Sequence, residues 1–214
     1  TAKAMPNALT VISMAPRGTM LHAPDGYMDK LAIGPGYPVD VVSLDMTPTE
    51  RVDALAKAKG VAPSDITVCV LERPRHQDTI TELRGIGASV YLIGDGDVAG
   101  VSHCSDAETT GIDMYMGSGG APEGVLAGGQ IWGRLLFRND DEAGRAAKAG
   151  ITDLDRIYAR DEMVTDDVIF AATGVTTGSM VAGLKTGSGY METDTMLLRS
   201  KTGERRRMTC RHPI

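Results

Sequence analysis

Thr67-Val68-Cys69-Val70-Leu71 runs into Arg73-Pro74-Arg75-His76, Ser89-Val90-Tyr91-Leu92-Ile93 into Gly94-Asp95-Gly96-Asp97, and Ile112-Asp113-Met114-Tyr115-Met116 into Gly117-Ser118-Gly119-Gly120-Ala121-Pro122-Glu123-Gly124. Each is an apolar run of strand length that ends in charged or glycine-rich sequence, and helix-like stretches over about 76–85, from about 97 and from Pro122 follow them. This alternation predicts an α/β domain with a mostly parallel sheet flanked by helices. If the three runs are neighbouring parallel strands, their carboxyl ends open on one crevice lined by guanidinium groups, carboxylates and backbone N–H groups. That is where open α/β sheets bind ligands.

Upstream, Thr47-Pro48-Thr49-Glu50 has the form of a helix start, with Thr47 as N-cap, Pro48 at the first helical position and Glu50 three residues after the cap. Val52, Leu55 and Ala56 then fall on one face. Earlier still, residues 7–15 and 28–33 are short apolar runs separated by the turn signals Pro16-Arg17-Gly18 and Ala23-Pro24-Asp25-Gly26, and they read as antiparallel strands. Downstream come a strand over Ile131–Phe137, a charged helix of about 140–149, a strand at Val168–Ala172, and a closing hairpin of Thr195–Arg199 with Arg207–Arg211. The expected division is residues 1–46, the last antiparallel strands of an N-terminal sheet, and residues 47–214, an α/β substrate-binding domain. A lone pair of strands would be marginal by itself, so the first segment needs other strands to complete it.

Composition narrows the function. The 214 residues can bury a core without staples, and the odd, widely spaced cysteines Cys69, Cys104 and Cys210 fit a reduced, cytoplasmic protein better than a disulfide or zinc framework. A net charge of −6 argues against nucleic acid or anionic lipid as a partner, and Arg205-Arg206-Arg207 reads as a solvated edge strand. No segment reaches the roughly twenty apolar residues of a membrane span. Nucleotide motifs fail as well. Gly94-x-Gly96-x-x-x-Gly100 is one residue too long for the dinucleotide fingerprint, and Gly119-x-x-x-x-Gly124 continues with Val125-Leu126 where a phosphate loop needs lysine and a hydroxyl.

What remains is the chemistry of the strand ends. Pro74 keeps the backbone extended between Arg73 and Arg75, so both guanidinium groups can face one anion, and a phosphate suits them; two solvated surface arginines are the plain alternative. Asp95-Gly96-Asp97 places two carboxylates at a glycine turn, suited to sugar hydroxyls or a hard cation, although Asp97 can also serve as a helix N-cap. Pro122 fits a first helical turn, and Glu123 beside it either holds a cation or complements the helix dipole.

Together, Ala23-Pro24-Asp25-Gly26-Tyr27-Met28, Arg73-Pro74-Arg75-His76, Gly94-Asp95-Gly96-Asp97-Val98-Ala99, Gly119-Gly120-Ala121-Pro122-Glu123-Gly124 and Ala172-Thr173-Gly174-Val175-Thr176 resemble the class II, GlpX-like fructose-1,6-bisphosphatases of the lithium-sensitive phosphatase superfamily, in order and spacing over nearly the whole chain. The resemblance implies a layered α/β sugar-phosphatase fold and a cytoplasmic homo-oligomer. It implies removal of the 1-phosphate of fructose 1,6-bisphosphate with Mg²⁺ or Mn²⁺, with sedoheptulose 1,7-bisphosphate as a further substrate in some members. It assigns Tyr27, Arg73, Pro74, Arg75, Asp95, Gly96, Asp97 and Gly120 to the substrate and Glu123 to the metal. In the family most metal ligands lie in a preceding segment, on the order of a hundred residues, that carries an Asp-Pro-x-Glu/Asp-Gly-Thr motif. No catalytic residue is therefore expected among these 214, and the chain alone is expected to be inactive or nearly so. Other departures are Arg73 where the family often has Lys, a helix after Glu123 shorter by about two turns, and an atypical tail from Glu204. The competing reading is a non-catalytic sugar-phosphate-binding module or one subunit of a split enzyme.

Overall fold

The structure, a computed structural model, describes residues 6–38, 40–121 and 130–214. It is an α/β protein with two sheets, and the chain divides into two compact units, residues 1–20 with 164–214 and residues 21–163. This is not the division at 46/47 read from the sequence. Strands β1 (Leu9–Met14) and β2 (Tyr27–Ile33) do not pair with each other. β1 pairs antiparallel with β8 (Ile169–Gly174), whereas β2 lies between β5 (Met114–Gly120) and β6 (Gln130–Leu136), antiparallel to both. The burial patterns give the reason. β1 alternates half-buried and exposed, as an edge strand does, while β2 ends in four consecutive buried residues, which requires cover on both faces.

In the larger unit the strand order is β4-β3-β5-β2-β6-β7, with β3 Thr67–Leu71, β4 Ser89–Ile93 and β7 Ile157–Ala159. The parallel pairs are β3 with β4 and β3 with β5. The pairs made by β2, and that of β6 with β7, are antiparallel, so the sheet is mixed and its parallel part is the three strands whose ends looked like a site. Helix α2 (Gln77–Gly85) connects β3 to β4 on one side of the sheet. Helix α3 (Asp97–Cys104), with the short α4 (Ala107–Thr110), carries the chain from β4 back past β3 to β5. Ile80 and Leu83 of α2 share a core with Val68, Val70, Met114 and Met116, while Gly100 of α3 packs on Tyr115 and Ile93. Met114 and Met116 alternate with Tyr115 along β5, so the two helices cover opposite faces. The crossover direction reverses at β3, which makes the carboxyl edge of β3 and β5 a topological switch point.

Helix α1 (Pro48–Lys59) forms for the reasons written in its first turn. Thr47 Oγ1 accepts the Glu50 N–H at 3.2 Å and Glu50 Oε2 accepts the Thr47 N–H at 2.7 Å, a complete capping box. Gly60, at φ 75°, ends the helix in the left-handed region. Val52, Leu55 and Ala56 are buried in the core that α1 and α2 share, Val52 and Leu55 each contributing about 1.5–3 kcal/mol of burial. Helix α5 (Asp140–Lys148) follows β6, capped by Asn139, and α6 (Arg160–Met163) follows β7.

The smaller unit is one antiparallel sheet ordered β1-β8-β10-β11, with β9 (Lys185–Gly187) also on β10 (Tyr190–Arg199). β10 and β11 (Glu204–Pro213) form the expected closing hairpin, with β10 starting earlier and β11 longer at both ends than the sequence suggested. Among the described residues no helix is long and apolar enough to cross a membrane.

Candidate functional site

At the carboxyl end of β3 the chain turns through a 3₁₀ segment, Pro74–His76, with Arg73 extended at its N-cap (φ −134°, ψ 148°) and Pro74 in the first turn. Arg75 is exposed at its outer side. Its guanidinium Nε donates to Ser118 Oγ at 3.0 Å and to the Ser118 carbonyl at 3.3 Å, and an Nη donates to that carbonyl at 2.6 Å. These acceptors are neutral, so the fork is fixed in direction without losing its charge to a carboxylate. Arg73 donates to the Glu72 carbonyl and comes within 3.5 Å of Asp95 Oδ1, the outer limit of an ion pair.

Tyr27 opens β2 directly opposite Gly120, the last residue of β5. Its ring has Arg75 5.3 Å and Arg138 4.8 Å from the centroid, a cation–π arrangement that stiffens the mouth of the crevice. Arg138 is itself bound to Glu142, through Nε at 2.8 Å and through its backbone N–H at 2.9 Å, which lowers the Glu142 pKa and raises that of Arg138.

After β4, Gly96 takes φ 82°, ψ 65° and turns the chain into α3. Asp95 stands 81% exposed in its side chain, with the Gly96 N–H at 3.1 Å on Oδ1. Asp97 does something else. It is buried, accepts the Val98 N–H at 3.0 Å, and forms an ion pair with Lys30 of β2, itself 1% exposed. Gly119 passes against this pair, and a Cβ there would overlap the Asp97 carboxylate and stand 3.3 Å from Lys30 Nζ. Arg75 and Asp97 thus reach adjacent residues of one strand end, Ser118 and Gly119, from the two faces of the sheet.

Tyr27, Arg73, Pro74, Arg75, Asp95, Gly96, Asp97 and Gly120 are therefore gathered at one edge of one unit. The Asp97 carboxylate is already neutralised by Lys30 and is not a free acceptor. Glu123, with the helix expected from Pro122, lies outside the described residues. Three residues were missed as site components by sequence reasoning: Lys30, Ser118 and Arg138. For Lys30 a signal existed, since a charge inside the apolar run of β2 faces the core whenever both faces are covered. Among the described residues no group of three or more His, Cys, Asp or Glu side chains could hold a metal ion, so these residues do not by themselves fit a divalent cation. A polar cavity of about 230 Å³ in the smaller unit, with Lys185, Glu192, Asp194 and Arg207 in its wall, is occupied by its own ion pairs, Lys185 with Glu192 and Arg207 with Asp194.

Comparison with known proteins gives this geometry its context. A family model described as bacterial fructose-1,6-bisphosphatase, glpX-encoded, matches residues 1–212. Fructose-1,6-bisphosphatase class 2 of Haemophilus influenzae is 34% identical over 235 aligned residues, covering 99% of this chain and 69% of that protein. Fructose-1,6-bisphosphatase 1 class 2 of Escherichia coli K12 is 34% identical over 234, covering 99% and 68%. The aligned stretches exceed the chain's own 214 residues, so the relatives hold residues inside them that have no counterpart here. With the match spanning nearly every residue and the site motifs gathered at one sheet edge, the chain belongs to the bacterial, glpX-encoded fructose-1,6-bisphosphatase family.

Proposed function

We propose that the chain acts in the hydrolysis of the 1-phosphate of fructose 1,6-bisphosphate, giving fructose 6-phosphate and phosphate, and that its described residues form the sugar-phosphate-binding side of that phosphoric monoester hydrolase. The single observation that carries this reading is Arg75: an exposed guanidinium at a sheet switch point, oriented by the neutral oxygens of Ser118. Such a fork is ready for the paired oxygens of a phosphate. Arg75, with Arg73 beside it, holds the phosphate that is retained. Tyr27 sets the position of that anion by stacking under Arg75. Asp95 accepts sugar hydroxyls, and Gly96 and Gly120 let the backbone approach the sugar. Asp97 acts with Lys30 as a neutral pair that keeps the head of α3 in place against Gly119.

A divalent ion, Mg²⁺ or Mn²⁺, would neutralise the scissile phosphate and activate water. Glu123 is the residue of this chain read as its ligand. The described residues do not make that site, so the roles above concern binding and orientation alone. The same reading takes the enzyme to be a cytoplasmic homo-oligomer.

The alternative is a non-catalytic sugar-phosphate-binding module or one subunit of a split enzyme. Two measurements separate the readings. Fructose 6-phosphate should raise the melting temperature of the wild-type chain without any metal, and Arg75→Ala should abolish that shift. Robust phosphate release from fructose 1,6-bisphosphate with Mn²⁺ by the chain alone would exclude the module and would also overturn the expectation that most metal ligands lie outside these residues. No stabilisation by fructose 6-phosphate would end both.

A further inference from the structure

His76 closes the 3₁₀ turn after β3 and is 4% exposed. Its Nδ1 lies 2.8 Å from the Leu71 carbonyl. A carbonyl can only accept, so Nδ1 carries the proton, and the other ring nitrogen of the neutral imidazole is a bare acceptor. That nitrogen, Nε2, receives the Ser118 N–H at 2.9 Å, with Ser118 Oγ at 3.2 Å. Ser118 in turn offers its carbonyl and hydroxyl oxygens to Arg75. The contact is close enough to dictate the neighbouring residue. Gly117 runs at φ 146°, and a Cβ there would sit 3.0 Å from His76 Cε1 and 3.2 Å from Nε2. Ser118, some forty residues downstream, therefore links the neighbours His76 and Arg75 into one relay, from ring to backbone amide to guanidinium.

We propose that His76 is a positioning residue that aims Arg75 at the phosphate through Ser118, and that it does so only while its imidazole is neutral. The inference rests on the reading of Arg75 as the phosphate-binding residue. Protonation would turn Nε2 into a donor facing the Ser118 N–H donor, and the backbone that fixes Arg75 would lose its anchor. The charged groups around the ring are Arg73 and Arg75 on its own turn and Asp29 on β2; the two arginines oppose the imidazolium and Asp29 favours it. Burial is the largest influence and holds the His76 pKa below the usual imidazole value, so the neutral form prevails near neutral pH.

The test measures fructose 6-phosphate affinity of the 214-residue chain by calorimetry at neutral pH and in mild acid, for wild type, His76→Phe and His76→Gln. It also measures exchange protection of the Ser118 amide by NMR. Phenylalanine fills the ring's place without an acceptor and should weaken binding by about tenfold, the scale of one lost hydrogen bond in the relay. Glutamine offers an amide oxygen to the Ser118 N–H and should recover most of that loss. In acid the wild type should lose affinity more steeply than His76→Gln, which shares the titration of the sugar phosphate but has no imidazole. The wild-type Ser118 amide should lose protection over the same range, a readout that needs no variant to fold. His76→Phe binding within about twofold of wild type, well under the tenfold expected, would overturn the proposal, as would a Ser118 amide equally protected at both pH values. Should the wild type not bind fructose 6-phosphate at all, the sugar-phosphate reading falls, and the Ser118 amide alone decides whether His76 holds the strand.

Discussion

Lys30→Met removes a charge from the middle of the site while keeping the side chain's length and apolar stem. Lys30 is 1% exposed in its side chain and Asp97 11%, so both partners have left water. Breaking such a pair from one side costs about 3–5 kcal/mol, because the remaining charge stays buried without compensation. The two halves of this pair differ. Asp97 keeps the Val98 N–H and sits at the N-terminus of α3, which is worth a further ~0.3–1 kcal/mol to a carboxylate, so its isolation falls at the lower end, about 3 kcal/mol. Asp97→Ala isolates the deeper Lys30 and should cost nearer 5 kcal/mol. The double variant isolates neither charge and should cost less than the sum of the two by about 2–3 kcal/mol. Trp132 makes the measurement local: it is the chain's single tryptophan, 9% exposed in the core of the same unit. Urea unfolding followed by its fluorescence gives the free energies, and a 3 kcal/mol loss corresponds to about 6–12 °C in melting temperature. A Lys30→Met loss below about 1 kcal/mol with additive single variants would place the pair in the class of solvated ion pairs and refute its role as the site's internal brace.

Gly119→Ala should act on the same brace from the backbone, since the new methyl overlaps the Asp97 carboxylate. Its loss in urea unfolding should resemble that of Lys30→Met and add little to it when the two are combined. Thr47→Ala removes one half of the α1 capping box and should cost about 1 kcal/mol by the same measurement, with fructose 6-phosphate affinity unchanged. In the smaller unit, the Arg207 guanidinium and the Ala182 N–H hold the Asp194 pKa below the ordinary carboxylate value. A depressed folded pKa gives stability that is present above the unfolded value of about 3.9 and is lost as pH falls through the folded one. Protection of the β10 amides, relative to their intrinsic exchange rates, should therefore fall in acid below about pH 4, and Asp194→Asn should flatten that dependence.

The elements were legible because their causes are local. The α1 capping box, the Gly96 turn and the charged helix after Asn139 each lie within a few residues of the chain they organise. β3 and β5 were legible for a different reason, since continuous apolar runs such as 67–71 suit strands covered on both faces, whereas β4, at the sheet edge, alternates exposed and half-buried residues. Partners were harder to read. Residues 28–33 satisfy a strand pattern equally well beside 9–14 or between 114–120 and 130–136, and only the need to bury both faces selects the second.

The glycine run 117–120 shows how far local reading reaches within the site. From the sequence it predicts exposed backbone N–H groups; in the structure the run is the last part of β5, in register with Tyr27–Lys30 of β2. Gly117 and Gly119 have another cause. One is free of a side chain because His76 lies against it, the other because the Lys30–Asp97 pair does. Those neighbours come from the β3 turn, β2 and α3, up to about ninety residues away in sequence, so nothing within the run announces them. It follows that a substitution at Gly117 or Gly119 disturbs Arg75 or Asp97 before it touches any ligand. The affinity lost there should accordingly track the loss of Ser118 amide protection for Gly117→Ala, and the loss of unfolding free energy for Gly119→Ala.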